Sequence, residues 1–116
     1  MSGFVSLAPT CVAWAFLPGG PSTGAIATQS YGVTCNKNAN PGQWECTMTA
    51  PISLIDGSAV VMQGVGVPDD TNDGVYFTLG DNGVGNFELT IRRRSDNAPD
   101  NTQPISFMIW KLPRQT

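Results

Sequence analysis

The stretch VYFTLGDNGVGNFELTIRR, residues 75–93, decides how this chain is read. Val75, Phe77 and Leu79 alternate with Tyr76 and Thr78, and Phe87, Leu89 and Ile91 alternate with Glu88, Thr90 and Arg92. Successive side chains of a strand point to opposite faces, so a period of two describes strands with one buried and one wet face. Between the runs lies GDNGVGN, with the glycines that the positive-φ positions of a hairpin turn require. The reading is an antiparallel β-hairpin whose apolar residues enter a core.

The same period recurs on both sides of this hairpin. In PISFMIWKLP, residues 104–113, Ile105, Phe107 and Ile109 take one face and Met108, Trp110 and Leu112 the other. A strand that is apolar on both faces belongs in the middle of a sheet or against a neighbour. AVVMQGVGV, residues 59–67, reads as a strand in which Gly64 and Gly66 suggest a bulge or a close backbone approach. WECTMT places Trp44, Cys46 and Met48 on one face, and AIATQSYGVT places Tyr31 and Val33 together. In CVAWAFLPGG, residues 11–20, Val12, Trp14 and Phe16 oppose Ala13, Ala15 and Leu17. About eight short strands separated by turns predict an all-β chain, one antiparallel β-sandwich over 1–116, jelly-roll-like in form.

Charge narrows the function classes. Charged residues are 13% of the 116, about half the usual quarter. A net charge of −3 argues against generic nucleic-acid binding. Arg92, Arg93 and Arg94 form the basic cluster, read as a solvated strand end with Asp96 and Asp100 as partners. The first charged side chain is Lys37. Free surfaces mix charges of both signs, so the uncharged first third is expected to be covered by the core or by a partner.

The run Cys11–Leu17 is too short for a membrane span and is stopped by Pro18. MSGFVSLAPT lacks the basic residues of an export signal. The expectation is a protein made in the cytoplasm, with no membrane partner. Cys11, Cys35 and Cys46 then read as buried, reduced thiols, although Cys35 and Cys46 can face each other across a hairpin over NKNANPGQWE.

Catalytic patterns are sparse. The chain has no histidine, which removes Ser-His-Asp and Cys-His constellations and the usual zinc sites. A carboxylate enzyme needs two acids at glycosidase spacing in a cleft. In DDTNDG, residues 69–74, Asp69, Thr71 and Asp73 before Gly74 follow the opening rhythm of a calcium loop, but Gly80 stands where the closing glutamate belongs. The competing reading is a hydrated acidic turn, and no cofactor is otherwise expected. Among the aromatics Trp44, beside the NPGQ turn, is the candidate exposed ring for stacking on a sugar.

In its low charge, glycine-rich turns and closing ISFMIWKLP strand, the chain resembles small all-β phage virion proteins of the capsid cement, decoration or fibre-head kind. That resemblance implies a jelly-roll-like body, symmetric copies (often trimers) and binding to coat-protein surfaces of a capsid assembled in the host cytoplasm. The residues then expected at the interface are Phe4, Val12, Trp14, Phe16, Leu17, Met108, Trp110 and Leu112. The alternative is a carbohydrate-binding, lectin-like module that uses Trp44 and calcium at Asp69, Thr71 and Asp73.

Overall fold

The alternating runs pair into antiparallel ladders. The computed structural model describes residues 8, 10–20, 22–49, 60–66 and 74–112, with the backbone alone at 60–66 and 81. The strands are β1 (Thr10–Leu17), β2 (Gln29–Tyr31), β3 (Val33–Lys37), β4 (Gln43–Met48), β5 (Val60–Gly66), β6 (Val75–Asp81), β7 (Asn86–Arg93) and β8 (Ile105–Lys111). They form two antiparallel sheets, ordered β2-β1-β8-β5 and β3-β4-β7-β6. No helix occurs among the described residues.

The sheets share one core, which makes the arrangement sandwich-like. The first contributes Ala13, Ala15 and Leu17 from β1 and Ile105, Phe107 and Ile109 from β8. The second contributes Val33, Cys35, Trp44, Cys46, Met48, Val75, Phe87, Leu89 and Ile91. Phe87 and Phe107 meet edge to face across the layers, with ring centroids 6.1 Å apart. That geometry suits the ring quadrupoles and adds about 0.5–1.5 kcal/mol beyond burial.

The hairpin read from residues 75–93 is β6–β7, closed by Asn86 N–H donating to the Gly83 carbonyl (3.0 Å). Gly83 and Gly85 both take positive φ there. Its inner face follows the alternation except at Leu79, which is exposed near the hairpin tip, beyond the core. β8 lies between β1 and β5, the central place its two apolar faces suggested.

Three readings need correction. The β5 ladder runs without a register shift from Val60 opposite Lys111 to Gly66 opposite Ile105, so its glycines mark no bulge. The irregularity is in β1, where register shifts between Cys11 and Ala13 and Val12 packs against the core. Tyr31 and Val33 do not share a face either. Gly32 between them has φ 70° and carries the chain from one sheet to the other. A Cβ at Gly32 would strike the Val12 carbonyl oxygen, so both the backbone angle and the close approach require glycine.

Loops at one end are tied together through Asn101. Its Oδ1 accepts from Gly42 N–H and its carbonyl from Gly20 N–H, both at 2.5 Å. Asp100, expected as an arginine partner, instead accepts from the Thr102 backbone N–H (2.6 Å) and hydroxyl (2.5 Å). Arg93 does pair with Asp96, through Nε (3.2 Å) and Nη2 (3.0 Å). Arg92 donates to Thr78 Oγ1 and the Asn97 carbonyl, so the arginine cluster fastens the β7 exit.

Candidate functional site

Because Ala13, Ala15 and Leu17 fill the inner face of β1, Trp14 and Phe16 project from the outer face. Register sets Trp14 between Tyr31 on β2 and Met108 on β8. These three form a row across the sheet, exposed by 61% at Tyr31, 39% at Trp14 and 45% at Met108. Half-buried Phe16 and Trp110 flank the row, and exposed Leu112 follows β8. Aromatic neighbours on one face of a ladder support each other by about 0.2–1 kcal/mol, which holds the rings in place without hiding them.

The electrostatics of the two sheets differ. In β1, β2, β5 and β8 the one charged residue is Lys111. The outer face of the other sheet carries Glu45, Glu88 and Arg92 among threonines, asparagines and Gln43. Glu45 and Glu88 stand directly opposite each other there, with Gln43 Nε2 donating to Glu88 Oε2 at 3.3 Å. Both lie on the outer face of that sheet.

The expected interface residues therefore divide. Trp14, Phe16, Met108, Trp110 and Leu112 lie at or beside the outer apolar surface. Leu17 is fully buried, because the β1 alternation places it beside Ala15 on the inner face. Val12 turns toward the core at the bulge. Phe4 falls outside the described residues. Tyr31 joins the surface without having been assigned to it, and the signal was Gly32, which ends β2 and frees Tyr31 from the phase of Val33.

Trp44 is a correction. It is fully buried, opposite Lys37 and Leu89, so it offers no ring to a sugar. Its polar neighbours in sequence form a turn, but strand phase sets the ring inward beside Cys46 and Met48. Its Nε1 is buried without a hydrogen-bond partner. Lys37 is also buried, with Nζ donating to the carbonyls of Asn38 (2.8 Å) and Asn40 (2.6 Å), and desolvation lowers its pKa from the ordinary lysine value.

The calcium-loop residues Asp69, Thr71 and Asp73 lie outside the described residues. Among the described residues no group of three or more Asp, Glu or Cys is placed to hold a metal ion, and no helix is long and apolar enough to cross a membrane. Cys35 and Cys46 are register partners and buried, whereas Cys11 is only half-buried; all three are free thiols. No protein-family model, curated protein or solved structure matches the chain.

Proposed function

We propose that this chain is a non-enzymatic structural subunit of a virion or similar assembly. It docks through the outer face of the β2-β1-β8-β5 sheet, as a capsid decoration, cement or fibre-head protein. The observation that carries the reading is the exposed row Tyr31–Trp14–Met108 on a sheet whose strands hold one charged residue. Water leaves apolar area at a gain of about 25 cal/mol per Å², so a contiguous patch of this kind favours a cover. The opposite outer face, with Glu45, Glu88 and Arg92, is suited to remain in water.

The jelly-roll-like reading is supported by nested pairing, β1 with β8 and inside it β4 with β7, and by four connections that cross between the sheets: β2 to β3, β4 to β5, β5 to β6 and β7 to β8. In the assembly the apolar face meets a coat-protein surface and further copies of the chain, in the trimeric arrangement that the resemblance implies. A second reading has its own support, since neighbouring exposed rings at Trp14 and Tyr31 can stack on a sugar.

The experiment is Trp14→Asp together with Met108→Asp, followed by circular dichroism and solution mass. The docking reading expects a folded chain that no longer assembles. A folded double variant that assembles like the parent contradicts it. Glycan-array binding that Trp14→Asp abolishes, by a chain that stays monomeric, favours the sugar reading.

A further inference from the structure

We propose that Cys35 and Cys46 are a modification site: an oxidisable dithiol in the core that a small disulfide compound converts to an intrachain disulfide. The inference does not rest on the docking face. Thr49 N–H donates to the Gly32 carbonyl and Asn38 N–H to the Gln43 carbonyl, which fixes the phase of the β3–β4 ladder. Between these bonded pairs, Cys35 and Cys46 form a non-hydrogen-bonded pair. The Cys35 carbonyl points the other way, accepting from Ala27 N–H at 3.2 Å.

In pairs of this type the Cα atoms approach to about 4.5 Å and the side chains lean together. That distance falls within the roughly 4.4–6.8 Å that disulfides span. Both side chains are 2% exposed and share the core cluster, so they have nowhere else to turn. Cys11 is no competitor, since it lies on β1 of the other sheet with its thiol directed at the Ala13 carbonyl (3.5 Å).

Access comes from one side. Ile26, Ala27, Ser30, Thr34, Cys35 and Asn36 line a groove of about 390 Å³ beside β3. The segment forming its far wall is held by the Ala27–Cys35 bond and by Lys37 N–H donating to the Ala25 carbonyl (2.8 Å). Cys35 borders this groove and Cys46 is not among its lining residues, so an oxidant that reaches the pair by local opening of this wall meets Cys35 before Cys46. A hydrogen bond to Cys35 and burial raise the Cys46 pKa above the ordinary thiol value, which keeps Cys46 protonated until the second step.

The Cys35 thiol loses its proton, and its sulfur attacks one sulfur of the oxidant R–S–S–R. The S–S bond breaks and one thiolate leaves to become RSH. The Cys46 sulfur then gives up its proton and attacks Cys35 in the mixed disulfide, expelling the second RSH. Two protein thiols are oxidised to one disulfide and one small disulfide is reduced to two thiols.

The test uses the folded chain carrying Cys11→Ala, and in parallel the unsubstituted chain at low concentration, treated with oxidised glutathione. The expected product is lighter by about 2 Da, yields a linked Cys35–Cys46 peptide and reverts with dithiothreitol. Closing this short loop raises the melting temperature by roughly 8–16 °C. Two results overturn the proposal: a stable glutathione adduct on Cys35 or Cys46 of the folded chain, or no mass change in the folded Cys11→Ala chain under conditions that oxidise the urea-unfolded one.

Discussion

Trp14 and Met108 are cross-strand partners in the middle of a sheet, and both are exposed. Central positions of a sandwich-like fold usually offer one apolar face to the core and a polar one to water. Here β1 and β8 are apolar on both sides, and only the inner side is covered by the other sheet.

Gly32→Ala should destabilise the chain by about 3 kcal/mol, the upper end for a strained backbone and more than Gly24→Ala, because the new Cβ meets the Val12 carbonyl in a left-handed backbone conformation. Gly24→Ala is the control. Its φ is 88°, but nothing lies within 4 Å of the added carbon, so only the backbone cost of about 1–2 kcal/mol applies. Urea denaturation of both variants measures the difference, and an equal loss would remove the close-approach argument.

Trp44→Ala should cost about 3–5 kcal/mol, the range for emptying a large aromatic site in a core. Trp14→Ala should cost much less, about 0.2–1 kcal/mol, the range of its cross-strand support from Tyr31 and Met108. Iodide quenching of tryptophan fluorescence supplies the check. The quenchable fraction should fall in Trp14→Phe, because the Trp44 indole is shielded.

These two tryptophans also show how far the sequence could be read. Alternation was enough for the β6–β7 hairpin, the two apolar faces of β8 and the shared face of Trp44, Cys46 and Met48. It misled where neighbouring turn residues were weighed over phase, which set Trp44 outside. It also failed where phase itself breaks: at the β1 bulge, which turns Val12 inward, and at Gly32, which separates Tyr31 from Val33. Those breaks come from contacts distant in sequence, such as Gly32 against Val12, and local periodicity carries no trace of them. The apolar face of β8 was legible, but which apolar faces stay uncovered depends on the packing of the two sheets.

Glu88→Gln should stabilise the chain by about 0.2–1 kcal/mol, since Glu45 and Glu88 are like charges directly opposite on the ladder. The gain should shrink in 1 M salt, where the screening length is only about 3 Å. Thermal melts at low and high salt give both numbers; a gain independent of salt would point away from charge repulsion.

Asp96 accepts a hydrogen bond from the Ala98 backbone N–H and pairs with Arg93, and these hold its carboxyl below the ordinary value of 3.8. A folded-state value below the unfolded one contributes stability that is present above pH 3.8 and lost as pH falls through the lowered value. The advantage of the native chain over Asp96→Asn should therefore be constant near neutrality and diminish on acidification below pH 3.8. Denaturation series at several pH values measure it; an advantage that grows toward acid would contradict the assignment.

The most direct test of the docking face is the solution mass of the purified chain by light scattering, with and without a calcium chelator. The account predicts a stable multiple of the 12.3 kDa chain, a trimer in the arrangement proposed, indifferent to the chelator. A chain that stays at 12.3 kDa up to high concentration, or that assembles only with calcium, would contradict it.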